Sequence, residues 1–306
     1  MTQTIQGVLP VLHTPLRDDE TIDRDVLRQE IDWIFSVGAD GVCSAMVSEI
    51  LRLSPSERCE LTEMMVAMTA GRGQVIASVG AETTRQAVEY ARHAERSGCS
   101  AIMAIPPISV ALPEGAMWDY FSQLARDVDL PLVVQDASSY VGRAISTSFY
   151  ARLVDAFGAD KILFKPEASP IGPNLSELRD QTQGKAQIFD GSGGILLIDC
   201  YRRGIRGTMP GVDLLDGIVA LWRALRRNDD PTAYRLYFPI CAIVALQLQA
   251  GLDGFLAIEK YVLNKRGIFP STLRRTPYAW DLDRETAAEI DRLLLMLEQA
   301  LAESPS

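Results

Sequence analysis

The sequence predicts an α/β fold, a (β/α)8 barrel of the TIM type with a C-terminal helical extension. Three observations carry that expectation. Short apolar runs that read as strands recur roughly every 20–35 residues, with amphipathic, helix-periodic stretches between them. From about residue 213 onward only helical patterns remain. No strand is followed by GxGxxG or GxxxxGK[ST], so an open nucleotide-binding sheet has no support, and 306 residues suffice for one barrel with an appendage.

The candidate strands are residues 7–12, 41–46, 74–79, 101–105, 132–135, 161–165, 186–189 and 206–209. Helical patterns occupy 23–37, 55–69, 84–97, 114–128 and 146–157. Ser54-Pro55-Ser56-Glu57 combines an N-cap residue, a proline at the first helical position and an early acid. Gly38 and Gly98 sit where helices should end and turn toward the next strand. The tail offers helices at 213–227, 232–250, 255–264 and 284–303, the last three packed on the barrel. No low-complexity linker intervenes, so 1–228 reads as barrel and 229–306 as an extension of the same domain.

Composition narrows the function. A net charge of −10 argues against nucleic acid and acidic membrane surfaces as partners, and an anionic substrate needs local donors. The N-terminal stretch is too short and polar-led for a signal peptide, and the reading expects a cytoplasmic protein without an apolar run of membrane length. Cys43, Cys59, Cys99, Cys200 and Cys241 are dispersed, as reduced thiols are. With only His13 and His93, an imidazole-built metal site is not expected.

Active sites of such barrels lie at the C-terminal ends of the strands. The sixth candidate strand ends on Lys165, and period-2 alternation groups it with Lys161 and Leu163, opposite Ile162 and Phe164. If Ile162 and Phe164 pack against helices, Lys165 projects into the mouth, where an amine can attack a ketone. A solvated strand-end lysine is the plainer alternative. The loop Ala45-Met46-Val47-Ser48-Glu49 offers backbone N–H groups and the Ser48 hydroxyl to a carboxylate, although a polar turn before a helix looks the same. Strands five and seven end on Gln135-Asp136 and Asp190-Gly191-Ser192-Gly193-Gly194.

The strand-two loop ending in Ser48-Glu49, Pro106-Pro107 after strand four, and Phe164-Lys165-Pro166-Glu167 resemble the dihydrodipicolinate synthase / N-acetylneuraminate lyase family. Thr14-Pro15-Leu16 and Gly207-Thr208-Met209-Pro210 add to the likeness, which runs from residue 7 to about 209 and more loosely beyond. The resemblance implies class I aldolase chemistry, with Lys165 as the Schiff-base residue and no cofactor beyond that covalent imine. It also implies a small-molecule 2-oxo acid substrate and a homotetramer. The apolar face Ile240, Ile243, Val244 and Leu248 is a candidate subunit contact, or a cover for the barrel itself.

The departures point away from a synthase. Gln135 stands at the strand-five tyrosine, Ile108 and Ser109 at the tyrosine pair, and Tyr140 at the arginine that holds a second substrate. Gln135-Asp136-Ala137, with Ser48-Glu49 and Phe164-Lys165, resembles instead the sugar-acid dehydratase branch, 2-keto-3-deoxy-L-arabonate dehydratases in particular. The expected roles follow. Lys165 is nucleophile and electron sink, Gln135 orients the substrate's hydroxyl end, Val47 and Ser48 hold the carboxylate, and Gly191 and Met209 offer backbone acceptors. Glu49 or Glu167 serves as base or is structural. A pyruvate-releasing aldolase and a barrel that only binds a 2-oxo acid are the alternatives.

Overall fold

The computed structural model describes residues 4–304. Eight parallel strands follow one another around a barrel: β1 (Gly7–Val8), β2 (Gly41–Cys43), β3 (Gln74–Ser78), β4 (Ala101–Ala104), β5 (Leu132–Gln135), β6 (Ile162–Lys165), β7 (Gln187–Asp190) and β8 (Gly207–Thr208). β1 pairs with β8, and Val11 closes the ring by bridging to both Cys43 and Gly211. The first strand is shorter than residues 7–12 because Pro10 has no N–H for the ladder. Every strand residue is buried, as expected of a parallel sheet covered on its outside.

The covering helices are α1 (Arg24–Ser36), α2 (Pro55–Thr69), α3 (Thr84–Ser97), α4 (Glu114–Asp127), α5 (Thr147–Phe157), α6 (Ile171–Gln181), α7 (Leu197–Arg202) and α8 (Leu215–Arg226). Ser54 and Glu57 form the reciprocal cap of α2, and α3 ends at Gly98 with φ 90°. Periodicity did not reveal α6 and α7. The first opens on Gly172 and Pro173, which read as loop, and the second is only six residues long. Alternation along β6 holds: Phe164 stacks on Tyr150 of α5 at 4.9 Å, while Leu163 and Lys165 turn inward. Lys161 lies at the opposite rim, donating to the Val128 and Leu130 carbonyls at 2.5 and 2.7 Å.

Three helices complete the chain: α9 (Asp230–Gln247), α10 (Gly251–Lys265) and α11 (Arg284–Ala302). α9 packs against α8 and α11, which buries Ile240, Ile243 and Val244 fully. That face therefore covers the chain's own surface and carries no argument for a subunit contact; Leu248 alone of the four is exposed. One expectation is corrected. Residues 230–265 contain a window of membrane-span length and mean hydropathy 1.6, spread over two helices that break at Gly251 (φ 55°). Packing accounts for part of the apolarity, since α9 lies against α8 and α11 and α10 crosses the barrel mouth to touch the 3₁₀ turn Met46–Ser48.

Candidate active site

Lys165 stands at the C-terminal end of β6, 4% exposed and in register with Gln135 of β5. Its Nζ lies 3.2 Å from Glu167 Oε1, and Gln135 Nε2 donates to the same oxygen at 3.0 Å. Asp136 fixes this arrangement from below: its Oδ1 accepts the Glu167 backbone N–H at 3.1 Å, and its Oδ2 the Tyr150 hydroxyl at 3.3 Å. Glu167 Oε2 is buried without a partner among the described residues. Burial pushes the Glu167 carboxyl up to about 7; Lys165 opposes that rise and Asp136 adds to it. Gly191 makes room for the pair, since a Cβ there would lie 2.5 Å from Glu167 Oε1 and 2.6 Å from Lys165 Cε.

The strand-two loop folds as the 3₁₀ turn, and Met46 and Val47 face Lys165 across the same pocket. Their backbone N–H groups, the first of the turn, make no hydrogen bond among the described residues. Ser48 departs from expectation. Its hydroxyl donates to the Leu12 carbonyl at 2.5 Å and accepts from the Ala45 N–H at 3.1 Å, so it ties the turn to the segment that follows β1 and does not line the pocket. Glu49 is also engaged elsewhere, by Lys260 Nζ at 2.5 Å and the Arg275 N–H at 2.8 Å.

The remaining wall comes from β8 and α10. Met209 and Gly211 line it, with Phe255 and Glu259 above. Glu259 Oε2 lies 2.7 Å from His13 Nε2, and Glu30 Oε1 lies 3.5 Å from His13 Nδ1. Burial opposes the charge on His13, yet the two carboxylates outweigh it and push its pKa up to about 10. Burial and the neighbouring Glu259 raise Asp213 to about 7. A ring from each side closes the mouth: Tyr140 and Phe255 meet edge-on at 5.1 Å. Burial holds the Tyr140 phenol well above its ordinary pKa, and its hydroxyl points to the Gly191 carbonyl at 3.4 Å. The space left inside is about 20 Å³, enough for one water-sized sphere. A larger cleft of about 430 Å³ opens around Lys161, Asp129 and Gln187 at the other end of the barrel, away from the strand ends that carry chemistry.

Residues 4–205 match the Dihydrodipicolinate synthetase family. The chain belongs to that family. A 4-hydroxy-tetrahydrodipicolinate synthase from Leptothrix cholodnii is 33% identical over 280 residues, 88% of this chain and 91% of the relative. The matched stretches span only 43% and 52% of the synthases from Polynucleobacter asymbioticus and Methanopyrus kandleri, about half their lengths. The dihydrodipicolinate synthase structure from Rhodopseudomonas palustris superposes with a TM-score of 0.86 at 26% identity, covering 96% of this chain and 98% of that one. YagE from E. coli K12, solved in complex with pyruvate, gives a TM-score of 0.88 at 22% identity over 97% and 99% of the two chains, a likeness of fold.

The dihydrodipicolinate synthetase family is one of class I Schiff-base lyases. Its matched stretch ends before β8, so it takes in Lys165, Gln135, Val47 and Gly191 but not Met209, Gly211 or Glu259. Of the site residues expected from the sequence, Lys165, Gln135, Val47, Gly191 and Met209 surround one pocket, and Ser48 stands behind it. Glu259, Phe255 and the pocket-facing place of Tyr140 were missed. The signal for Glu259 was present: Glu259-Lys260 interrupts an otherwise apolar run from 255 to 263.

Proposed function

We propose that the protein is a lyase that binds a 2-oxo acid as an imine on Lys165 and dehydrates a 2-keto-3-deoxy sugar acid. The observation that carries this reading is Glu167: a carboxyl held near pKa 7, one oxygen unpartnered, 3.2 Å from the amine. Lys165 attacks the C2 ketone and water leaves, giving a protonated imine that acidifies C3–H. A base beside Nζ stands near C3, because only C2 separates that carbon from the nitrogen. Glu167 takes the C3 proton, the enamine expels the C4 hydroxyl, and the same carboxyl returns the proton so that water departs. A C3–C4 double bond conjugated with the imine remains, and hydrolysis frees the lysine.

The other residues support those steps. Gln135 cannot exchange a proton at neutral pH; its amide holds Glu167 toward Lys165, a different task from the substrate contact expected of it. The free N–H groups of Met46 and Val47 suit the substrate carboxylate. Tyr140 restores a phenol to the pocket, but one held protonated donates a hydrogen bond and does not act as a base. Retro-aldol cleavage therefore lacks the phenol that would receive the C4 hydroxyl proton.

A second reading, synthase activity, draws on the names of the curated relatives. Against it stand Gln135, Ile108, Ser109 and Tyr140 at the positions noted above. Two assays separate the readings. Incubation with 2-keto-3-deoxy acids should yield a 2-oxo acid lighter than its substrate by one water, and no pyruvate by NMR. Pyruvate and an aldehyde in equal amounts would overturn the dehydratase. Pyruvate with aspartate semialdehyde should condense at less than about 1 s⁻¹, tenfold under a typical enzyme's median; faster turnover favours the synthase.

A further inference from the structure

We infer that Glu259, oriented by His13 and with Asp213 beside it behind Gly211, forms a second subsite in the same pocket, which receives a hydroxyl-bearing far end of the substrate and rejects acids that end in a second carboxylate. This rests on Lys165 as the imine residue. Glu259 is 2% exposed and lines the pocket from α10. One oxygen is engaged by His13 at 2.7 Å; the other, Oε1, makes no hydrogen bond among the described residues. Gly211 shows where Oε1 points. A Cβ built there would lie 2.5 Å from Glu259 Oε1 and 2.8 Å from Asp213 Oδ1, so both oxygens converge where the segment after β8 has no side chain. Asp213 is anchored through its other oxygen by Gln247 Nε2 at 2.8 Å.

Glu259 Oε1 stands at the pocket wall without a protein donor among the described residues, and a ligand hydroxyl supplies one. A ligand carboxylate does the reverse, placing like charges together in a dry site. No cation relieves that repulsion: among the residues lining the pocket, Lys165 alone is basic, and it is engaged by the ketone. Lys260, the next residue on α10, is held by Glu49 and the Thr14 and Leu273 carbonyls. His13 lies behind Glu259, shared with Glu30, and fixes the carboxylate's orientation.

Two five-carbon probes of equal length test this: 5-hydroxy-2-oxopentanoate and 2-oxoglutarate. Borohydride trapping at increasing concentration gives the half-saturation of imine formation for each, with pyruvate alongside. The native protein should favour the hydroxyl-ended acid by about tenfold or more. In Glu259→Gln, which retains the shape of the side chain, the ratio should fall below about threefold. The ratio does not depend on how much of the variant folds. Equal trapping of the two long acids by the native protein, or a variant that keeps the preference, overturns the subsite while pyruvate trapped at Lys165 leaves the lyase reading intact. No imine with any of the three overturns both.

Discussion

Glu167, beside Lys165, and Glu259, on the pocket wall, are each almost wholly buried, and each lies beside a glycine whose missing Cβ makes room for it. Their partners differ. Glu167 meets an amine that, on the proposed mechanism, becomes part of an imine. Glu259 meets an imidazole that sits between two carboxylates, carries no proposed chemistry and stays paired throughout. The same side chain at the same depth thus suits proton transfer on one wall and anchoring on the other. Burial alone does not make a carboxylate a base; the lack of a permanent counter-charge does.

The largest effect expected on this contrast is from Lys165→Ala, which removes the imine: no borohydride adduct should form, and turnover should fall on the order of 10⁴-fold or more. Glu167→Gln should lower kcat by roughly 10²–10⁴-fold while the adduct with pyruvate still forms, separating base from nucleophile. His13→Ala acts on the other wall. It strands Glu259 and Glu30 without their cation and should cost about 3–5 kcal/mol of stability in urea denaturation, an effect on folding first and on rate second. Equal destabilisation by Glu167→Gln would erase the distinction between the walls.

The pH dependence sharpens it. Between 4.5 and about 7 folded Glu167 keeps a proton that the unfolded chain has released, so its contribution to stability is full below that window and is lost as pH rises through 7. The loss is on the order of 3 kcal/mol, and Glu167→Gln should remove it, making the fall of Tm from pH 5 to 8 shallower while the share due to Asp213 remains. Activity should run the opposite way, with kcat/KM rising toward a plateau above pH 7 as the base ionises. The smallest effect belongs to Ser48→Ala. It unpairs the Leu12 carbonyl and the Ala45 N–H, costing about 1–3 kcal/mol of stability, with kcat changed less than about threefold because the hydroxyl does not reach the pocket.

The barrel was legible because strand spacing, caps and alternation all agreed, and Lys165 because alternation along 161–165 fixes which residues turn inward. What escaped depends on distances that sequence order does not contain. Glu49 and Glu167 both follow polar strand ends, yet one falls on Lys260, 211 residues away, and the other on Lys165. Ser48 is one residue from Val47, and in a 3₁₀ turn that step carries its hydroxyl from the pocket wall to the segment that follows β1. Glu259 belongs to a helix whose apolar pattern spoke of packing, and the crossing of α10 over the mouth is a tertiary fact. Tyr140 was read as a lost arginine, when its ring is a new wall.

The edge-on contact of Tyr140 with Phe255 bears on how fast the enzyme can be entered. About 20 Å³ lies beneath those rings, so they should part to admit a 2-oxo acid. One ring belongs to the loop after β5 and the other to α10, so parting them moves the helical tail relative to the barrel. A ring pair of this kind is worth about 0.5–1.5 kcal/mol, which reduces the open population by roughly two- to tenfold. On the proposed mechanism, imine formation should then slow in viscous solvent, even with an acid as small as pyruvate. On that expectation the tail helix, which supplies neither nucleophile nor base, should set the pace at which Lys165 is reached.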